Sequence, residues 1–195
     1  MQEIFNKIYT QNKWGFLSGT GSFSSLSQEY IQFIKNYIQT HSIQSVVDLG
    51  SGDFRLSREI FLDNNIHYWG IECVEFLVNI LSGIYKNNIN IEFKCFDFFK
   101  NKENIPNADL FIIKDVLQHW PNFYIYSFLD YLVSSNKTKN IIIVNSFQQE
   151  FEEEDIYKIG EWRGLSAIFL PLKKYNPEIL LNYNDKEISI INVDS

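Results

Sequence analysis

Residues 45–54 read Ser-Val-Val-Asp-Leu-Gly-Ser-Gly-Asp-Phe: an apolar strand ends on Asp48, turns through Gly50, Ser51 and Gly52, and runs into a helix-like segment. Glycine lets a backbone turn sharply and lets a ligand approach where a Cβ would collide. The N–H groups exposed at a helix start favour an anionic or polar group. A second apolar strand, His67-Tyr68-Trp69-Gly70-Ile71-Glu72, also ends on an acid. An acid at the tip of the neighbouring strand is placed to accept hydrogen bonds from ribose hydroxyls. Carboxylates at strand tips have little structural use when unpaired, so Asp48 and Glu72 are read as functional. Together these residues point to a nucleoside-binding α/β domain.

Other side chains could do chemistry nearby. His119 follows the fourth apolar strand by a few residues and titrates near neutrality, so it is a candidate general base. Its structural alternative is a histidine at a helix start, bonded to a backbone carbonyl. His67 begins a strand and His41 ends a helix, and both read as structural. Arg163 beside Trp162 either clamps an anionic group with its bidentate donors or stacks on that tryptophan. Arg55 either pairs with Asp53 or reaches the pocket. Asp115 either lines the pocket or caps the next helix. No cluster of His and carboxylate side chains has metal-ligand spacing, so no metal is expected.

The elements that must position these groups alternate along the chain. Ser27 opens a helix to about Thr40, with Tyr30, Ile34, Tyr37 and Ile38 on one face. Strands are expected at 46–49, 68–71, 91–96, 110–113 and 141–144, and helices at 55–64, 74–85 and 122–134. The strands are continuous apolar runs, as in a parallel sheet covered on both faces. Residues 179–183 and 186–193 flank Asn184-Asp185 and read as a closing hairpin. Residues 151–177 read as a long loop with one short element. The expected organisation is a single domain over 1–195. Residues 1–26 form a cap that includes the glycine-rich loop Ser18 to Ser22, and 27–195 form a Rossmann-like core.

Composition sets the outer limits. The chain has 195 residues, 45% hydrophobic and 21% charged, which suits a globular domain able to bury a core. A net charge of -7 disfavours a nucleic-acid surface. The acidic run Glu150 to Asp155 reads as a solvated loop or helix start. Cys73 and Cys95 are too few for a zinc site or a disulfide framework, and read as buried thiols. No signal peptide and no bilayer-length apolar run is seen, so no membrane association and a cytoplasmic location are expected.

The chain resembles a class I S-adenosylmethionine-dependent methyltransferase over nearly its whole length. The resemblance implies a mostly parallel seven-stranded sheet with a C-terminal antiparallel hairpin and helices on both faces. It implies that Asp48, Gly50, Ser51 and Gly52 lie against the methionine half of S-adenosylmethionine and that Glu72 holds both ribose hydroxyls. It further implies that Asp97 accepts the adenine amino group, with Phe98 beside the ring, and that Asp115 lines the methyl-transfer pocket. The rival, a nicotinamide or flavin Rossmann enzyme, needs a third small residue where Arg55 stands.

Trp14 with Ser18-Gly19-Thr20-Gly21-Ser22, Asp115 to His119, and Gly160-Glu161-Trp162-Arg163 resemble short bacterial methyltransferases of surface-polysaccharide synthesis. These include enzymes assigned to O-methylate the capsular phosphoramidate group. The Pro-rich stretch expected after the Trp-Arg pair is represented only by Pro171 and Pro177.

The implied activity is methyl transfer from S-adenosylmethionine to an oxygen of a small polar metabolite. His119 and Asp115 are the catalytic candidates, and Trp14, Ser18, Trp162 and Arg163 the acceptor-binding ones. The alternatives are an RNA or protein methyltransferase and a non-catalytic cofactor-binding subunit. Lys114-Asp115-Val116-Leu117 stands where an Asn-Pro-Pro-Tyr-type motif of macromolecular enzymes would lie. The sequence leaves the oligomeric state open.

Overall fold

A computed structural model describes residues 1–15, 18–19, 23–147 and 155–193. Seven strands form one sheet: β1 (Ser45–Leu49), β2 (His67–Glu72), β3 (Ile91–Cys95), β4 (Leu110–Lys114), β5 (Asn140–Ser146), β6 (Glu178–Tyr183) and β7 (Lys186–Asn192). Their spatial order is β3-β2-β1-β4-β5-β7-β6. The first five are parallel, and β7 runs antiparallel to both β5 and β6. This is the expected Rossmann-like sheet with its closing hairpin. The hairpin turns at Asn184, whose φ of 48° suits an asparagine.

Alternation along each strand divides the core in two. Val46, Leu110, Ile112, Ile142, Val144, Ile188 and Ile190 face one layer. Val47, Leu49, Phe111, Ile113, Ile141 and Ile143 face the other. Both layers are apolar because helices cover both sides, so no strand in the centre shows a polar face. Helices α2 (Gln28–Thr40) and α3 (Arg55–Phe61) cover the first layer through Tyr30, Ile34, Ile60 and Phe61. Helix α4 (Glu75–Ile84) adds Val78 and Leu81 there. Helix α5 (Asn122–Ser134) covers the second with Ile125, Phe128, Leu129 and Leu132.

The main addition to the expected elements is α1 (Gln2–Thr10). Ile4, Phe5, Ile8 and Tyr9 share one face of it, and Ile8 and Tyr9 are buried. Elsewhere the differences are at ends: α3 stops at Phe61 rather than Asn64, and β5 extends to Ser146. Of 151–177, the described part holds only the 3-10 turn Leu172–Tyr175. Thr20 to Ser22 of the glycine-rich loop and Glu150 to Glu154 of the acidic run lie outside the described residues. Asp155 accepts the Asn122 N–H at the start of α5, so this end of the run serves a helix start. Cys73 is buried as expected, whereas Cys95, on the edge strand β3, is exposed.

The sheet depends on aromatic packing beneath α3. Phe61 is fully buried and its ring lies 4.8 Å from that of Tyr68. Phe61→Ala is expected to destabilise the fold by about 3–5 kcal/mol, measured by urea denaturation.

Candidate active site

The turn after β1 is held against the tip of β2. The N–H groups of Gly50 and Ser51 both donate to the Ile71 carbonyl, at 2.8 and 3.2 Å. Gly50 and Gly52 take φ values of 88° and 55°, and a Cβ on Gly50 would run into Val116 Cγ2. A Cβ on Gly52 would lie 2.6 Å from Ser18 Oγ and 3.1 Å from Tyr9 Oη. Conformation and close neighbours therefore both require glycine at these positions. Beside them Ser51 Oγ is buried with no hydrogen-bond partner among the described residues.

Glu72 ties the two strand tips together. Its Oε2 accepts the Gly52 N–H at 3.1 Å, and its Oε1 accepts the N–H groups of Cys73 and Val74 at 2.6 and 3.0 Å. Burial pushes this carboxyl above its ordinary range, and the three N–H donors oppose that rise. Asp48 differs from expectation because it is not an unpaired acid. Its Oδ2 accepts hydrogen bonds from Ser57 Oγ and Tyr68 Oη, both at 2.7 Å. Here too burial raises the carboxyl and the hydroxyls partly counter it. Asp48 therefore has a structural use: it fastens β1 to α3 and β2.

Asp97 lies past β3, with Oδ1 accepting the N–H groups of Phe99 and Lys100. Its Oδ2 is buried without a hydrogen bond, although the amino group of Met1 stands 3.2 Å away as an ion partner. The distance permits attraction while the geometry does not make a hydrogen bond. Phe98 is buried against Trp120 and Phe128, with centroids 5.7 and 5.4 Å away. Gly50, Glu72, Asp97 and Phe98 line one cavity, which Phe5, Tyr9 and Trp14 cover from α1 and the segment after it. Only about 60 Å³ remains inside. Asp48, Ser51, Gly52 and Ser18 line a second small cavity, of about 80 Å³, and Tyr9, Trp14, Gly50 and Asp115 border both.

Asp115 follows β4 with a φ of 57°, a left-handed conformation that aspartate tolerates better than most residues. Its carboxylate takes ion pairs from Lys114 and from Lys186, the latter at 2.6 Å. Burial alone would raise this carboxyl, but the two ammonium groups outweigh it and hold it below the ordinary range. Asp115 is thus a poor proton acceptor, and it lines the pocket as one of its two expected roles has it. Lys186 also donates to Ser146 Oγ at 2.8 Å. Lys114 and Lys186 were not legible as site residues, because one ends a strand and the other opens a distant hairpin strand.

His119 is buried in a single 3-10 turn, Leu117–His119. Its Nδ1 lies 2.9 Å from the Glu161 carbonyl oxygen. A carbonyl only accepts, so Nδ1 carries the proton and Nε2 keeps a lone pair. Trp14 stacks on the imidazole at 4.8 Å. Burial pushes the His119 pKa down, which keeps the ring neutral at neutral pH. The two readings of this histidine are therefore compatible: it bonds a carbonyl and still presents a basic nitrogen.

A third cavity, of about 540 Å³, brings together Trp14, Ser18, Asp115, His119, Trp162 and Lys186. Arg163 is not among its lining residues. Its guanidinium instead binds Asp155 at 2.5 Å, Asn122 Oδ1 at 2.7 Å and the Trp120 carbonyl at 3.1 Å. Those bonds join the loop to the start of α5, which replaces the expected clamp on a ligand. Arg55 meets both expectations: its guanidinium pairs with Asp53 at 3.1 Å, and it also lines the 80 Å³ cavity. His41 bonds the Tyr37 carbonyl at 2.9 Å, and His67 packs on Trp69, as structural histidines do.

Comparison with solved structures agrees with the topology. The methyltransferase domain of bacterial CtHen1-CN superposes with a TM-score of 0.65 at 14% identity, covering 86% of this chain and 99% of that one. Magnesium protoporphyrin IX methyltransferase from Synechocystis PCC 6803, solved with bound SAH, gives a TM-score of 0.65 at 14% identity, covering 96% and 97%. Human N-acetylserotonin methyltransferase, in complex with SAM, gives 0.61 at 16% identity, covering 90% of this chain but 60% of that one. Identities this low establish a shared fold. No curated protein sequence matches the chain significantly. A sequence profile of the O-methyltransferase domain matches residues 2–160, well over half of the 195 residues, and the chain belongs to that family.

Proposed function

We propose that the protein transfers a methyl group from S-adenosylmethionine to an oxygen of a small polar metabolite, in the class of a sugar, a nucleotide-linked sugar or a phosphoramidate precursor. One observation carries this reading: Glu72, Asp97 and the glycine turn share one rim of the sheet, beside a separate cavity that holds a neutral histidine. The residues fit the cofactor. Two buried polar atoms on that rim, Asp97 Oδ2 and Ser51 Oγ, make no hydrogen bond of their own. Glu72 retains acceptor capacity beyond its three backbone donors, since a carboxylate offers about four lone-pair sites. Asp97 and Phe98 would hold the adenine, Glu72 the ribose, and Gly50 to Gly52 with Asp115 the aminoacyl part. When bound, the cofactor supplies an electrophilic methyl group whose bond to sulfur breaks as the bond to oxygen forms.

The chain's own residues supply alignment, dryness and proton removal. Trp14 lies at the meeting point of all three cavities and excludes water between them. His119 Nε2 takes the proton of an acceptor hydroxyl. Trp162 and Ser18 border the acceptor cavity, whose 540 Å³ is in the range of about 300–1,000 Å³ for small-molecule sites. That size and the net charge of -7 favour a small acceptor over RNA or protein. The phosphoramidate assignment rests on the short sequence motifs alone.

The nucleoside cradle, at about 60 Å³, is far smaller than such sites. Binding therefore requires the covering rings of Phe5, Tyr9 and Trp14 to give way.

Calorimetry with S-adenosylhomocysteine tests the reading. Wild-type protein binds it, and Glu72→Ala weakens binding by at least about tenfold, the equivalent of one lost charge-assisted hydrogen bond. Absence of wild-type binding removes the cofactor from the account.

His119→Ala should reduce turnover by about 10²–10⁴-fold while leaving S-adenosylhomocysteine affinity nearly unchanged. The pH profile follows from the sign of the shift. Neutral imidazole is the active form and its pKa is depressed, so kcat rises to a plateau on the acid side of the ordinary imidazole range and stays flat through neutral pH. A profile that keeps climbing above neutrality rules out His119 as the base.

A further inference from the structure

We infer that Lys186 holds the acceptor's reacting oxygen as an oxyanion, which makes acidic hydroxyls and oxyacid groups the acceptor class of this site. The inference rests on the methyl-transfer reading and concerns a residue that lines the acceptor cavity and touches the proposed cofactor site only through Asp115.

Lys186 opens β7, opposite Ser146 on β5 and Tyr183 on β6. Its side chain is only 10% exposed. Burying an ammonium is costly, and the cost is offset only where partners fix it closely. Asp115 Oδ1 at 2.6 Å and Ser146 Oγ at 2.8 Å do so from two other strand tips. An ammonium has three N–H donors, and these contacts occupy two of them. The third belongs to a group that lines the acceptor cavity. Among the described lining residues Lys186 is the one fixed cation.

The charged and titratable groups around it assign the parts. Asp115 at the end of β4 is its anchor, and Lys114 on the far side of that carboxylate keeps Asp115 ionised. Asp185, in the hairpin turn, is exposed at the cavity edge. The Tyr183 phenol is raised by burial and stays neutral. His119 borders the same cavity, and burial holds its proton affinity down; the Glu161 carbonyl and the Asp115 charge oppose that, and Lys186 adds a smaller lowering. A histidine in that position cannot remove a proton from an ordinary alcohol unaided. The ammonium supplies the missing driving force by stabilising the charge left behind.

The acceptor O–H proton moves to His119 Nε2, its electron pair stays on oxygen, and the third N–H of Lys186 donates to that oxygen. For an acceptor already ionised, no proton moves and Lys186 alone performs the binding.

The test uses 4-nitrophenol, whose phenolate is read by its visible absorbance, with the full chain saturated with S-adenosylhomocysteine. In the wild type the probe's titration midpoint should fall by about one pH unit or more, as expected for a fixed cation within a few ångströms. Lys186→Met should return it to the value in water, and Lys186→Arg should restore most of the shift. Calorimetry with S-adenosylhomocysteine on each variant checks that the fold and the cofactor site survive. A wild-type probe that titrates as in water overturns the inference, whether it stays unbound or binds as the neutral phenol. So does a shift that persists in Lys186→Met. Failure of S-adenosylhomocysteine to bind the wild type instead overturns the methyl-transfer reading itself, so the two failures are distinct.

Discussion

The site depends on one buried carboxylate that joins two strand tips. Glu72 accepts N–H groups from the β1 turn and from the start of α4, so it fixes the separation of two segments that line the cavity under α1. Burial opposes its charge, and the converging donors offset part of that cost. Asp48 performs the matching task one strand away, through the hydroxyls of Ser57 and Tyr68. The two acids look equivalent in the sequence but bond differently: Asp48 to side-chain hydroxyls of α3 and β2, Glu72 to backbone N–H groups at the two strand tips.

This division explains how far the sequence could be read. The strands were legible because a parallel sheet covered on both faces demands unbroken apolar runs, and Val46 to Leu49 and Leu110 to Ile113 provide them. The turn at Gly50 and Gly52 was legible because its glycines meet a local conformational need. Partners that arrive from far along the chain leave no local trace. Tyr68 reaching Asp48, Lys186 reaching Asp115, and Arg163 turning towards Asn122 are all tertiary choices between equally reasonable bonds. The helix α1 was not legible because it is only nine residues long and adjoins a glycine-rich loop, although its apolar residues do share one face.

That unpredicted helix changes the view of the cofactor site. Phe5, Tyr9 and Trp14 occupy the volume above Glu72 and Asp97, and Tyr9 is held to Ser18 by a hydrogen bond of 3.0 Å. The apolar rings keep water from the buried acids. A nucleoside would replace these contacts with its own stacking and hydrogen bonds. Displacing the rings costs packing, which a bound ligand would have to replace.

The same economy of parts governs the acceptor side. A carboxylate in a left-handed backbone conformation is a mildly strained element, with a cost of order 1 kcal/mol. Two ion pairs hold it there, and their field makes it useless as a base. What it gains is control over the position of Lys186. Without Asp115, the ammonium at the mouth of the hairpin would swing towards solvent, as lysines with four flexible bonds do. With it, the cation stays beside a neutral histidine whose other nitrogen is committed to the Glu161 carbonyl. Asp115 thus acts on this cavity through the lysine, and the order of causes runs from a strand-end φ angle to the placement of a buried cation.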